Sequence, residues 1–121
     1  MAASIPPEIH GQKYLSLATF RKTGALVYTP IWFAEQDGRL YFMTSSKSGK
    51  FKRIRNNPSV KIAPCTMRGT ITGPEFSATV RILPESDFQR TRAILNAKYW
   101  AARIPLIWYN TDAYLEITLQ S

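Results

Sequence analysis

The strongest restriction on what this chain can fold into is a succession of short stretches suited to extended backbone, cut apart by turn residues. Tyr14 to Phe20 reads as one strand, broken by Lys22-Thr23-Gly24. Ala25 to Glu35 carries Val27, Tyr28, Thr29, Ile31, Trp32 and Phe33, β-branched and aromatic types that suit a pleated surface, and reads as a second. Gln36-Asp37-Gly38-Arg39 is a hairpin turn, because Asp-Gly supplies the left-handed conformations such turns need. Leu40 to Thr44 is the third strand and Ser59 to Cys65 the fourth. Thr70 to Leu83 is the fifth, with Phe76, Ala78, Val80 and Ile82 alternating and Gly73-Pro74 marking a bulge or an edge. Ala113 to Leu119 alternates in the same way and makes the sixth.

Three stretches read as helical. Ile5 to Lys13 forms a short leading helix, with Pro6 and Pro7 in its first turn. Ser48 to Asn57 places Phe51 and Ile54 on one face, with Ser48 as cap and Pro58 as stop. Ser86 and Gln89 have capping-box spacing and open a longer helix to about Trp100, with Phe88, Leu95 and Tyr99 on one stripe. Six short antiparallel strands with these helices predict a mainly β (α+β) domain over residues 1–121, curled into a barrel or close to it. No apolar run approaches the roughly 20 residues of a membrane span. The start of the chain lacks the basic and apolar parts of a secretory signal, so the expectation is a cytoplasmic protein without membrane contact. One cysteine, Cys65, and one histidine, His10, exclude an internal disulfide and weigh against metal cages and a His-centred triad, so no metal ligand is expected.

The charge is unevenly placed. The net +8 arises wholly between Gly38 and Pro74, which hold Arg39, Lys47, Lys50, Lys52, Arg53, Arg55, Lys61 and Arg68 and no Asp or Glu. The rest of the chain balances eight basic residues against eight acids. A field of one sign concentrates anions. The bland reading is a solvated basic face; the others are a phosphorylated small molecule or a nucleic acid.

Thr44-Ser45-Ser46-Lys47-Ser48-Gly49-Lys50-Phe51-Lys52-Arg53 spans a strand-to-helix junction. Such a junction exposes backbone N–H groups and the positive end of a helix dipole. Hydroxyls of Thr44, Ser45 and Ser48 can donate to phosphate oxygens, Gly49 allows close approach, and Lys50 and Arg53 lean toward the same end. The Walker order Gly-Lys-Ser/Thr is absent. A Ser/Gly loop that merely caps a basic helix is the competing reading.

Thr44, Ser48, Lys50, Ile54, Asn57 and Pro58 stand at the spacing found in pyridoxamine phosphate oxidase-like proteins, the flavin and deazaflavin oxidoreductases of split β-barrel fold. Leu17 to Phe20, Thr29 to Phe33 and Arg68 to Ile82 resemble that family's strands, so the likeness runs from about residue 10 to 119. Lys13-Tyr14, Thr19 to Gly24, Thr29 to Phe33, Ser48 to Pro58 and Ala63-Pro64-Cys65 are similar to its branch dependent on the deazaflavin coenzyme F-420. The resemblance implies a six-stranded split barrel that forms a homodimer with two cofactor sites at the interface. Ser48, Gly49, Lys50 and Arg53 would hold the cofactor phosphate. Pro30, Ile31 and Trp32 would lie along the ring, partly through backbone, and Thr44 and Ser45 would flank the ribityl chain. The substrate segment of the oxidase is missing at the C-terminal side, so pyridoxamine phosphate is not the expected substrate. Hydride chemistry belongs to the cofactor, so the resemblance implies no catalytic residue of the chain's own, which suits a chain poor in acid–base groups. The glutamate-bearing tail of F-420 suits the acid-free stretch better than FMN, the alternative cofactor, with its single phosphate.

Other residues divide between packing and function. Trp32, Trp100 and Trp108 could wall a ring or simply pack, and the Pro105-Leu106-Ile107 loop reads as a core lid or dimer contact. Cys65 reads as a buried small hydrophobe, and His10 as solvent-exposed rather than a haem ligand. Against nucleic acid, the basic segment lacks interleaved aromatics apart from Phe51, whose spacing turns it to the core. A carrier of cofactor without turnover is the remaining alternative to an enzyme acting on a small molecule.

Overall fold

Seven strands form one antiparallel sheet in the computed structural model, which describes residues 5–98 and 111–120. In chain order they are β1 (Tyr14–Phe20), β2 (Leu26–Trp32), β3 (Ala34–Gln36), β4 (Arg39–Thr44), β5 (Ser59–Pro64), β6 (Phe76–Ile82) and β7 (Ala113–Leu119). Helix α1 (Gly49–Asn56) follows β4, and α2 (Phe88–Lys98) follows β6. The order across the sheet is β2-β1-β5-β6-β7-β4-β3.

The stretch expected as one second strand is therefore two, divided at Phe33. Its halves, β2 and β3, lie on opposite edges of the sheet. Seven flat strands would put those edges about 29 Å apart, at roughly 4.8 Å per gap. One connecting residue spans about 7 Å. The sheet has to curl until its edges meet, and Phe33 sits fully buried where they do. Propensity alone does not reveal the break, because Phe33-Ala34-Glu35 continues a sequence that favours strand.

The curl creates an inside and an outside. Leu15, Leu17, Ile31, Leu40, Phe42, Ile62, Leu115 and Ile117 meet in the interior, and α1 adds Phe51 and Ile54 to them. On the outer side, α2 lays Phe88, Ile94 and Leu95 against Ala34, Tyr41, Met43 and Tyr114. Strand β7 is buried on both faces for this reason. Its Glu116 is 7% exposed. The carboxylate accepts from Tyr41 Oη at 2.9 Å and Arg81 Nε at 3.4 Å, with Arg39 Nε at 4.0 Å, which compensates its removal from water.

Several boundaries move. The leading helix is replaced by turns around Ile9, whose amide donates to Pro6 O at 2.9 Å. Ile9 is fully buried, and Glu35 takes both His10 Nδ1 at 2.7 Å and the Gly11 amide at 2.9 Å. These tertiary contacts and the positive φ of Gly11 (77°) stop a helix that is too short to form alone. The capping box does not form: Ser86 lies in a 3-10 turn over Glu85–Asp87, and α2 begins only at Phe88. The fifth strand is Phe76–Ile82, preceded by a loop that keeps one bridge, Cys65 to Ile71. The Asp37-Gly38 hairpin has φ of 53° and 77°, as its residues require. Tyr99, Trp100 and the stretch from Pro105 through Trp108 to Tyr109 lie outside the described residues.

The last described residue of α2 fastens the seam. Lys98 Nζ lies 3.7 Å from the Phe33 ring centroid and donates to Gln12 O at 2.5 Å. Burial pushes its pKa down to about 8, partly opposed by Glu35. Replacing Phe33 by Ala should cost about 3–5 kcal/mol in urea unfolding, the range for a buried aromatic. A lysine depressed in the folded state binds fewer protons there than in the unfolded chain, so stability rises with pH between the two pKa values. Wild type should therefore gain stability relative to Lys98→Met as pH rises from about 8 toward 10.4, which urea melts along that range would register; parallel curves would contradict it.

Candidate functional site

The junction between β4 and α1 is built from short polar contacts. Strand β4 ends where Thr44 pairs with Ala113 of β7. The chain turns as Ser48 N donates to Ser45 O at 3.0 Å and Lys47 N donates to Ser45 Oγ at 3.1 Å. Both carboxylate oxygens of Asp112 accept from Ser46, one from the amide and one from the hydroxyl, each at 2.7 Å. Those bonds, chiefly the hydroxyl, hold Asp112 below the usual carboxylate range. Ser48 is the N-cap: its Oγ accepts Phe51 N at 3.2 Å and lies 3.2 Å from Thr44 Oγ1. The amides of Gly49 and Lys50 find no acceptor among the described residues.

Two cations converge on this helix start. Arg53 Nε donates to Thr19 Oγ1 of β1 at 2.6 Å. Its guanidinium folds back over the first turn of α1, so that a Cβ on Gly49 would stand 2.8 Å from Nη1. Lys50 is half-buried beside it, and burial, then the charge of Arg53, lowers its pKa. Neither has a carboxylate partner among the described residues. Capping accounts for Ser48. It does not account for two neighbouring cations without a counter-ion, one of them desolvated, beside unpaired amides. That set of donors suits a phosphate.

The basic stretch is less uniform in space than in sequence. Arg39 stands at the far end of β4 beside Glu116. Lys61 reaches Ser77 on the sheet, and Asp112 enters the loop next to Lys47. What remains concentrated is Lys47, Lys50, Lys52, Arg53 and Arg55 around α1.

Pro30, Ile31 and Trp32 lie on β2, an edge strand whose outward backbone groups are unpaired by the sheet. Ile31 turns its side chain into the core. Pro30 is exposed, and Trp32 packs against Tyr14 (ring centroids 6.2 Å, 68°) and the outer cluster containing Met43. Pro30 and Val27 are three steps apart on β2, about 10 Å, and Val27 pairs with Thr19, which holds Arg53. Cys65 is buried with its thiol pushed up by burial, so it is not a reactive thiolate. His10 is bound to Glu35.

Three features escape sequence reading: Thr19 as the support of Arg53, Asp112 as the tether of the loop, and a cleft between α2 and the start of β7. The cleft consists of two cavities of about 420 and 310 Å³ that share Thr111 and Asp112. Arg92 lines the larger and Lys47 the smaller. Nothing in local spacing joins residues that far apart.

Residues 2–110 match the family model described as pyridoxamine 5'-phosphate oxidase. None of the curated proteins matches the chain. Among solved structures, an F420 reductase is similar at 21% identity and TM-score 0.65, over 97% of each chain. A FAD-binding protein from Mesorhizobium loti is similar at 15% identity and TM-score 0.66, over 100% of this chain and 94% of its own. The heme storage protein of Vibrio cholerae is similar at 13% identity and TM-score 0.63, over 98% and 92%. At these identities the likeness is one of fold.

The junction separates stability from ligand binding. Ser48→Ala should lose about 1 kcal/mol of unfolding free energy, the usual value of a cap. Lys50→Met should melt above wild type, because a desolvated cation repelled by Arg53 opposes folding. Calorimetry of the three proteins distinguishes them, and a lower melting temperature for Lys50→Met would show that Lys50 is a structural group.

Proposed function

This chain belongs to the pyridoxamine 5'-phosphate oxidase family, and from that premise we propose that it is an oxidoreductase using the deazaflavin coenzyme F-420. The observation that carries the reading is the pair Lys50 and Arg53, uncompensated by any described carboxylate and set at the open amides of Gly49 and Lys50. A phosphate there would accept from both cations and from the helix start. Charge-assisted hydrogen bonds contribute about 1.5–3 kcal/mol each, so two or three suffice for firm binding. Ser45 and Thr44 would border the sugar-like chain, and the exposed edge of β2 at Pro30 to Trp32 would face the ring.

When bound, the coenzyme supplies the hydride chemistry, exchanged with an electron-poor organic substrate. The protein's part is to anchor, orient and exclude water. The remaining cations Lys47, Lys52 and Arg55 favour a polyanionic tail, which supports the deazaflavin over FMN. FMN binding by the same cradle is the second reading, favoured by the sufficiency of Lys50, Arg53 and Ser48 for one phosphate. Phe51 is 9% exposed in the core, so the basic segment offers a nucleic acid no stacking platform.

The cradle holds one side of a ligand, and the outer side of β2 is open beside it, with Pro30 exposed and Tyr28 50% exposed. The reading therefore includes a homodimer in which the second copy covers that face. No helix among the described residues is long and apolar enough to cross a membrane, and a cytoplasmic location is part of the proposal.

Fluorescence titration with coenzyme F-420 and with FMN, at low and high salt, tests the reading. The expected result is tighter binding of F-420, weakened by salt, and an affinity loss of about tenfold or more in Lys50→Ala. Light scattering should give twice the chain mass. Equal affinity of wild type and Lys50→Ala would remove the cradle from the site, and preference for FMN would move the protein to the second reading.

A further inference from the structure

We propose that the cleft between α2 and the entry to β7 binds the second reactant through an acidic group, with Arg92 as the anchor and a flat apolar body as the rest of the ligand. That the ligand is a reactant rests on the oxidoreductase reading; the binding site stands on Arg92 itself. Arg92 Nε donates to Tyr114 Oη at 2.9 Å, and its guanidinium carbon lies 5.9 Å from that ring's centroid. Tyr114 is 2% exposed and wedged against Phe88, ring centroids 4.6 Å apart, so the arginine is held by a fixed partner. The terminal nitrogens of Arg92 have no acceptor among the described residues. The neighbouring outer-face arginines differ: Arg39 and Arg81 stand by Glu116, and Arg90 lies 3.7 Å from Asp87.

A guanidinium that is positioned yet unpaired, lining a cavity of about 420 Å³, presents two parallel N–H donors suited to the two oxygens of a carboxylate. Asp112 lines the same cavity but is tied through both oxygens to Ser46 and forms no ion pair with Arg92. Lys47 lies in the smaller cavity, beyond Asp112, so Arg92 is the cation among the described residues lining the larger one. Half-buried Phe88, one helical turn before Arg92, offers the apolar contact. Met43 pairs with Tyr114, and Trp32 packs into the same outer cluster, so the cleft adjoins the edge that carries Pro30 and Trp32.

The test is an amide-resonance titration of the whole protein with 2-naphthoate and with its uncharged counterpart 2-naphthamide. Naphthoate should shift Gln89, Arg92, Thr111 and Asp112 and bind about tenfold more tightly than the amide. Arg92→Gln should abolish that preference while leaving amide affinity unchanged, and Arg92→Lys should restore part of it. Equal affinity of the two probes for wild type, a comparison that needs no variant, would overturn the proposal, as would shifts confined to Tyr28, Met67 and Ile71. Gly49 and Lys50 report cofactor in a parallel titration. Cleft shifts with naphthoate and silence at Gly49 and Lys50 with either cofactor would sink the cofactor reading alone, and the reverse pattern would sink the cleft alone.

Discussion

Closure of the sheet at Phe33 is the constraint on which the rest depends. One residue joins strands at opposite edges, so the edges must touch, and the interior must be filled by side chains from every strand. A barrel of this kind has a wall that is buried inside and available outside. The outer wall is then divided: α2 covers the part formed by β3, β4 and β7, while the outer side of the edge strand β2 stays open. The junction after β4 falls at the border between the two.

That border explains why polar groups gather there. Thr44 ends a strand that lies against β7, so the loop after it meets Asp112 at the start of β7 and is pinned through Ser46. Helix α1 must then point its first turn toward β1, where Thr19 receives Arg53. Lys50 comes to rest beside Arg53 with no carboxylate partner among the described residues, an arrangement unfavourable to the protein alone that an anion would relieve. The buried Glu116 shows the opposite solution: its charge is surrounded by Tyr41, Arg81 and Arg39 and needs nothing from outside.

Local chemistry was legible in the residues and long-range chemistry was not. Strands β1 and β7, helix α1 with its Ser48 cap, and the Asp37-Gly38 hairpin follow from alternation, helical spacing and φ preference. The break at Phe33 follows from closure, which no window of neighbouring residues contains. The leading segment and the Ser86 box look helical by the same local rules, and contacts from Glu35 and a 3-10 turn redirect them. The candidate site divides similarly. Thr44, Ser45, Ser48, Gly49, Lys50 and Arg53 are contiguous enough to be read together. Thr19, Asp112 and Arg92 join through pairings 34, 66 and 22 residues apart.

The position of β7 has a consequence for how the molecule is made. It is the last strand of the sheet in chain order, yet it stands between β6 and β4. Until it is present, β2, β1, β5 and β6 form one ribbon, and β4 with β3 form another, with no hydrogen bonds joining them. Synthesis proceeds from the N-terminus, so a ribosome holds two unfinished ribbons with exposed edges while residues up to Leu119 are still to emerge. The barrel thus closes only once β7 has emerged, and a chain stalled before that point would display the same free edges that invite pairing with a neighbour.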